Sequence, residues 1–180
     1  MADTSPPVLI PAAAVDGLYG VARWRAMFVV SLSVLLSVLD YAVANVALPT
    51  IAADIHTSAS SSIWVINAYQ LASVISLLPL AALGERWGYA RMSQIGLVLF
   101  VVASVLCAIS TTLPELALAR ALQGFGGACI MSVNAALVRF IYPAKELGRG
   151  IAFNGLVVAM GVALGPTVAS AVLSLSLIHI

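Results

Sequence analysis

Residues 27–48 read MFVVSLSVLLSVLDYAVANVAL, twenty-two positions with one charged side chain, Asp40, set between long apolar flanks. A helix rises about 1.5 Å per residue and the hydrocarbon layer of a bilayer is about 30 Å thick, so a run of this length predicts a membrane-crossing helix. Four further segments share the pattern, at 62–83, 92–110, 115–138 and 151–173. Lipid cannot satisfy exposed backbone groups, so all five are expected to be helices and the fold class is all-α integral membrane. The separators are 49–61, 84–91, a tight turn at 111–114 and a longer basic loop at 139–150.

Composition agrees. Hydrophobic residues make up 62% of the 180-residue chain and charged residues 8%, and mean hydropathy is +1.10. Soluble domains are about one-quarter charged, so this chain lacks the polar surface to cover a water-soluble ball. The bilayer is the expected partner. A net charge of +1 gives no sign of a nucleic-acid partner. Cys107 and Cys129 fall inside apolar runs and read as small core hydrophobes rather than a disulfide or metal site. Residues 1–22 have no signal-peptide pattern and read as a disordered cytoplasmic tail.

Placement of charge predicts orientation. Arg23 and Arg25, Arg86 and Arg91, and Arg139, Lys145 and Arg149 all fall on one side of the predicted helices. The opposite loops, with Asp54, His56 and Glu115, contain no Lys or Arg. The positive-inside rule makes the basic side, and the amino terminus, cytoplasmic. Trp24, Trp64 and Trp87 stand near helix ends, as interfacial aromatics do.

Asp40 and Arg120 are the charged residues placed well inside the spans, where insertion costs roughly 2.5–3.5 kcal/mol each and marks functional candidates. Asp40 lies about 12 Å from the outer end of its helix and Arg120 about 9 Å from the outer end of its own, so the two are expected to meet. Ser33, Ser37, Asp40 and Ala44 share one face, as do Arg120, Gln123, Gly127, Met131 and Asn134; Asn67 and Gln70 add a third polar stripe. These stripes predict a partly hydrated cavity, or polar glue between helices. Burial favours the protonated form of a carboxyl and a guanidinium favours the ionised form. A helix motion that changes either condition would make proton binding a conformational switch. No paired histidines or close carboxylates suggest an enzyme. On the fifth segment Asn154, Val158, Gly161 and Gly165 share a face whose glycines permit close helix approach, and Pro166 follows.

Four stretches then carry a family resemblance. Leu39–Pro49 (LDYAVANVALP), Leu118–Ala128 (LARALQGFGGA), Gly161–Ser170 (GVALGPTVAS) and, in degraded form, Ala81–Arg91 (AALGERWGYAR) resemble motifs of the major facilitator superfamily, most closely its multidrug-type drug:proton antiporters. Ala42 stands where threonine is usual. In the loop motif Glu85 replaces aspartate, and Tyr89 and Ala90 fill positions that are often basic. The resemblance implies two six-helix halves rocking about a central site, with residues 23–174 as five helices of the first half. It assigns proton coupling to Asp40 and Arg120, cavity or substrate lining to Ser37, Asn67, Gln70, Gln123 and Asn134, cytoplasmic gating to Glu85, Arg86, Gly88 and Arg91, and the antiporter motif to Gly161, Gly165 and Pro166. It implies a small-molecule substrate, a cell-membrane location, a proton gradient as energy source and no cofactor. The expected activity is export of amphipathic compounds; alternatives are nutrient uptake by the same fold or a five-helix assembly subunit. Residues 175–180 (LSLIHI) resemble a translated library adapter and read as a non-native tail, so the remaining half is expected to be a missing partner and this chain alone is expected not to transport.

Overall fold

The structure, a computed structural model, describes residues 17–55 and 57–177. Five α-helices follow one another: α1 (Gly20–Asp54), α2 (Ala59–Trp87), α3 (Tyr89–Ile109), α4 (Leu113–Ile141) and α5 (Leu147–Leu177), with a 3₁₀ turn at Ala144–Glu146 before the last. No strand occurs among the described residues. All five helices are long and apolar enough to cross a membrane.

Each helix reaches beyond its predicted span at one or both ends, because backbone bonds inside a helix are satisfied whether oil or water surrounds it. The expected loop at 49–61 is largely helical: α1 continues through Pro49 to Asp54. The loop at 84–91 shrinks to Gly88, whose φ of +96° breaks the path between Trp87 and Tyr89. The basic loop at 139–150 contracts to Tyr142, Pro143 and the 3₁₀ turn. At the turn into α4, Thr112 and Glu115 form a reciprocal capping box that supplies partners for the first free N–H groups of the helix. The expected disordered tail is corrected at 17–22: the Leu18 N–H donates to the Ile141 carbonyl across 2.9 Å, and α1 starts at Gly20. Residues 1–16, His56 and residues 178–180, the last including His179, lie outside the described residues, while 175–177 continue α5.

The bundle is polar inside and apolar outside. Ser33, Ser37, Ser76, Arg120 and Gln123 are buried, whereas Phe28, Val74, Leu78, Leu118 and Val162 are exposed on the outer faces, the arrangement a lipid solvent selects. Helix α4 is the central rod and packs most extensively on α2 and α3, while α1 pairs chiefly with α5.

Glycines set both of these close contacts. A Cβ at Gly126 would meet the Phe100 backbone at 2.7 Å, and one at Gly96 would meet Cys129 Cβ at 2.5 Å, so α3 and α4 touch almost backbone to backbone. A Cβ at Gly161 would meet Val38 at 2.9 Å, and one at Gly165 would overlap the Cβ of Ala42, so the glycine face of α5 is its seat on α1.

All the basic segments gather at one end of the bundle. Arg23 on α1 pairs with Glu146 at 2.7 Å and stacks on Tyr19 and Tyr142, each 5.3 Å from its guanidinium carbon to the ring centroid. Tyr89, at the start of α3, packs on Phe140 near the end of α4 with centroids 5.7 Å apart.

Candidate functional site

Asp40 and Arg120 meet. An Arg120 Nη1 proton is donated to Asp40 Oδ2 across 2.6 Å, joining α1 to α4. Arg120 is buried and Asp40 keeps about a quarter of its side chain open (23%), so the carboxylate is the member of the pair that solvent or a proton can reach. Three residues along α4 from Arg120, one helical turn, Gln123 lies on the same face. Its Oε1 accepts from Arg120 Nη1 at 2.6 Å, and its Nε2 donates to Asp40 Oδ1 at 2.8 Å and to Ser104 Oγ on α3 at 2.7 Å. The Cys107 thiol donates to the same Oε1 at 3.6 Å. Gln123 thus ties α1, α3 and α4 into one polar cluster around the ion pair.

Arg120 also lies over the ring of Tyr69 on α2, 4.6 Å from its centroid, a cation–π contact. Nε and Nη2 of Arg120 are buried and have no hydrogen-bond partner among the described residues, so the ring face is what meets that side of the cation. Gly127 makes room for the ring: a Cβ there would stand 2.7 Å from the Tyr69 hydroxyl. Ser73 Oγ donates to the Gly124 carbonyl at 3.0 Å, and a Cβ at Gly124 would collide with the Tyr69 carbonyl. The small residues of 124–127 therefore fit α4 against both α2 and α3.

Two clefts flank this cluster. One, of about 340 Å³, is lined by Asp40, Ala44, Ala47, Val65, Cys107 and Arg120 and opens toward the end opposite the basic one. The other, also about 340 Å³, lies between α1, α2, α4 and α5 and is lined by Ser37, Tyr41, Tyr69, Leu77, Met131 and Val162. Its wall is aromatic and aliphatic with a few hydroxyls, suited to an apolar body bearing a polar group.

Other expected residues behave differently. Ser33 and Ser37 donate to the carbonyls four residues back, Val29 and Ser33, at 3.0 and 3.1 Å, so neither hydroxyl bonds across the interface. Gln70 is exposed and donates from Nε2 to the Tyr41 hydroxyl at 2.8 Å. Asn67 is half-buried on α2 and takes no part in the ion-pair cluster. Asn134 is half-buried with its Oδ1 enclosed. Glu85, Arg86, Gly88 and Arg91 are all exposed at the basic end, and among the described residues none of the three charged ones is in an ion pair. Tyr41, Tyr69, Ser104 and Cys107 were not singled out from sequence as members of the site. The alternating small residues of 124–127 were the one signal that a bulky ring had to be accommodated there.

Residues 17–178 match the profile described as Major Facilitator Superfamily. The chain belongs to the major facilitator superfamily. It is 51% identical over 167 residues, 93% of its length, to the uncharacterized transporter YebQ of Escherichia coli, covering 36% of that protein. It is 32% identical to the riboflavin transporter RibZ of Clostridioides difficile over 84% of the chain and 33% of the relative. It is 35% identical to the multidrug export protein EmrB of Haemophilus influenzae over 76% of the chain and 27% of the relative. The chain thus spans about a third of the length of these curated relatives. As a facilitator-superfamily chain with five spanning helices it is a multi-pass membrane protein. Within that family setting, the helix-one and helix-four stretches meet at the ion pair, and the helix-five stretch packs behind it on α1.

Proposed function

We propose that this chain forms one wall of a proton-coupled exporter of amphipathic small molecules, with Asp40 as the proton-binding group and Arg120 as its counter-charge. The observation that carries the reading is the pairing of a partly open carboxylate with a buried guanidinium between α1 and α4. When the carboxylate is ionised, the pair and the two Gln123 bonds hold the helices together. A proton on Asp40 removes the attraction and leaves Arg120 a cation on a tyrosine face, a costly state in a low-dielectric interior. That imbalance favours rearrangement of α1 against α4, which is how proton binding is converted into a change of access.

The cleft bounded by Tyr41, Tyr69, Met131 and Val162 is the proposed substrate wall, with Ser37 and Gln70 beside it. The remaining wall belongs to the part of the protein beyond this chain, whose relatives are about three times as long. The basic end is proposed as cytoplasmic, and the exposed Glu85–Arg91 turn as the gating loop at that face. The multidrug relative supports export. The riboflavin relative favours a second reading, carriage of a nutrient or metabolite through the same cleft.

The test is proton-driven ethidium transport by the full-length reading frame in proteoliposomes. Asp40→Asn is expected to abolish dependence on the proton gradient while dye binding persists. Unchanged gradient-driven transport in that variant removes Asp40 from the mechanism.

A further inference from the structure

Three enclosed oxygens take no part in the site above. Ser31 Oγ on α1, Asn134 Oδ1 on α4 and Asn154 Oδ1 on α5 are each buried with no hydrogen-bond partner among the described residues. Their register places them in one layer. Val34 and Ile130 form part of one core cluster, with Val158 packed against it. Ser31 precedes Val34 by three residues, Asn134 follows Ile130 by four, and Asn154 precedes Val158 by four. Helices α1 and α5 run away from the basic end and α4 runs toward it, so all three steps lead about one turn, some 5 Å, in the same direction.

A second apolar layer closes the far side. Met27 and Val138 form its core, with Leu147 packed against them. Ser31 follows Met27 by four residues, Asn134 precedes Val138 by four, and Asn154 follows Leu147 by seven, two turns. The three oxygens are thus set between two greasy layers on three adjoining helices.

We infer that Ser31, Asn134 and Asn154 form a single hydrogen-bonding site that receives an uncharged N–H or O–H donor in the basic half of the bundle. Enclosed acceptors without a donor are expensive, and two amide oxygens with one hydroxyl supply the two to four partners that a bound donor needs. An ordered water and the hydroxyl or amino group of a substrate share that chemistry. The site lies toward the basic end from the Asp40 cluster and contains no titratable group of its own. Its role is to hold a polar group, independent of the proton. The substrate arm of the proposal rests on the export reading; the existence of the site does not.

The experiment uses the full-length protein in detergent and a double-mutant cycle of Asn134→Leu and Asn154→Leu, read by thermal unfolding. One shared site makes the double variant's shift in Tm depart from the sum of the single shifts by about 2 °C or more. Additive shifts overturn the proposal. Should leucine prevent folding, the alanine pair runs the same cycle with the same two outcomes. Binding of ethidium, which bears amino donors, and of tetraphenylphosphonium, which bears none, then separates the sources. Coupled variants that weaken ethidium about tenfold and spare tetraphenylphosphonium assign the donor to the ligand. Coupled variants that spare both assign it to water. A wild-type protein that binds neither dye defeats the amphipathic-export reading, while the unfolding cycle still decides the site.

Discussion

Arg120 on α4 and Asp40 on α1, eighty residues apart in the chain, share a 2.6 Å hydrogen bond, and Gln123 bonds to both partners. The pair is closed on the arginine side and partly open on the aspartate side, so its two members are unequal targets for substitution.

Removing the cation alone strands a carboxylate in the bundle. Arg120→Gln is expected to cost about 3 kcal/mol, the lower part of the range for breaking a buried pair because Asp40 keeps some solvent. Adding Asp40→Asn should recover more than half of that loss. Thermal unfolding of the purified variants in detergent checks it; a double variant no more stable than Arg120→Gln contradicts the account.

The glycine face of α5 gives a contrast within one helix. Gly165→Val forces a side chain into Ala42 and is expected to cost about 1–3 kcal/mol as overpacking. Gly155, on the same helix, meets nothing within 4 Å, and Gly155→Ala should be neutral or gain up to about 1 kcal/mol of helix propensity. Unfolding midpoints that rank the two the other way would show that α1 and α5 are not seated as described.

Gly88 separates backbone strain from crowding. A Cβ there has open space, yet φ is +96°, so Gly88→Ala should lose about 1–2 kcal/mol purely through the backbone. Gly148 also faces open space and does not have a positive φ, so Gly148→Ala is the matched control and should change little. Equal midpoints for the two variants would mean that the turn at Gly88 relaxes.

The two thiols should differ in reach. Cys107 borders the cleft beside Asp40 and Arg120, whereas Cys129 is buried between α3 and α4 against Gly96. Under native conditions N-ethylmaleimide is expected to label Cys107 and leave Cys129 unlabelled until the protein is denatured, as mass spectrometry of the peptides would show. Equal labelling would mean that α3 and α4 separate readily.

The ion pair was legible in the sequence because charge in oil is expensive enough to announce itself, and depth along a helix follows from counting residues. Spacing also put Arg120 and Gln123 on one face. What spacing cannot supply is the rotation of each rod against its neighbours. Tyr69 and Ser104 gain their meaning only once α2 and α3 are turned toward α4, and nothing in their own stretches marks that direction. Ser33 and Ser37 fall on the expected face, yet their hydroxyls turn back to their own helix, an option open to any serine in a helix. Helix ends were misjudged for a related reason: hydropathy reports where lipid stops, and the backbone continues past that point through Pro49 and almost to Gly88.

Gly96 and Gly126 join α3 to α4, and Gly161 and Gly165 join α5 to α1, so the bundle behaves as two welded plates, one of three rods and one of two. Among the described residues, the single ion pair inside the bundle is a rivet across the seam between those plates. Discharging the rivet loosens the seam and leaves each weld intact. Motion that starts at Asp40 is therefore a sliding of blocks, and the fold within each block has no need to change.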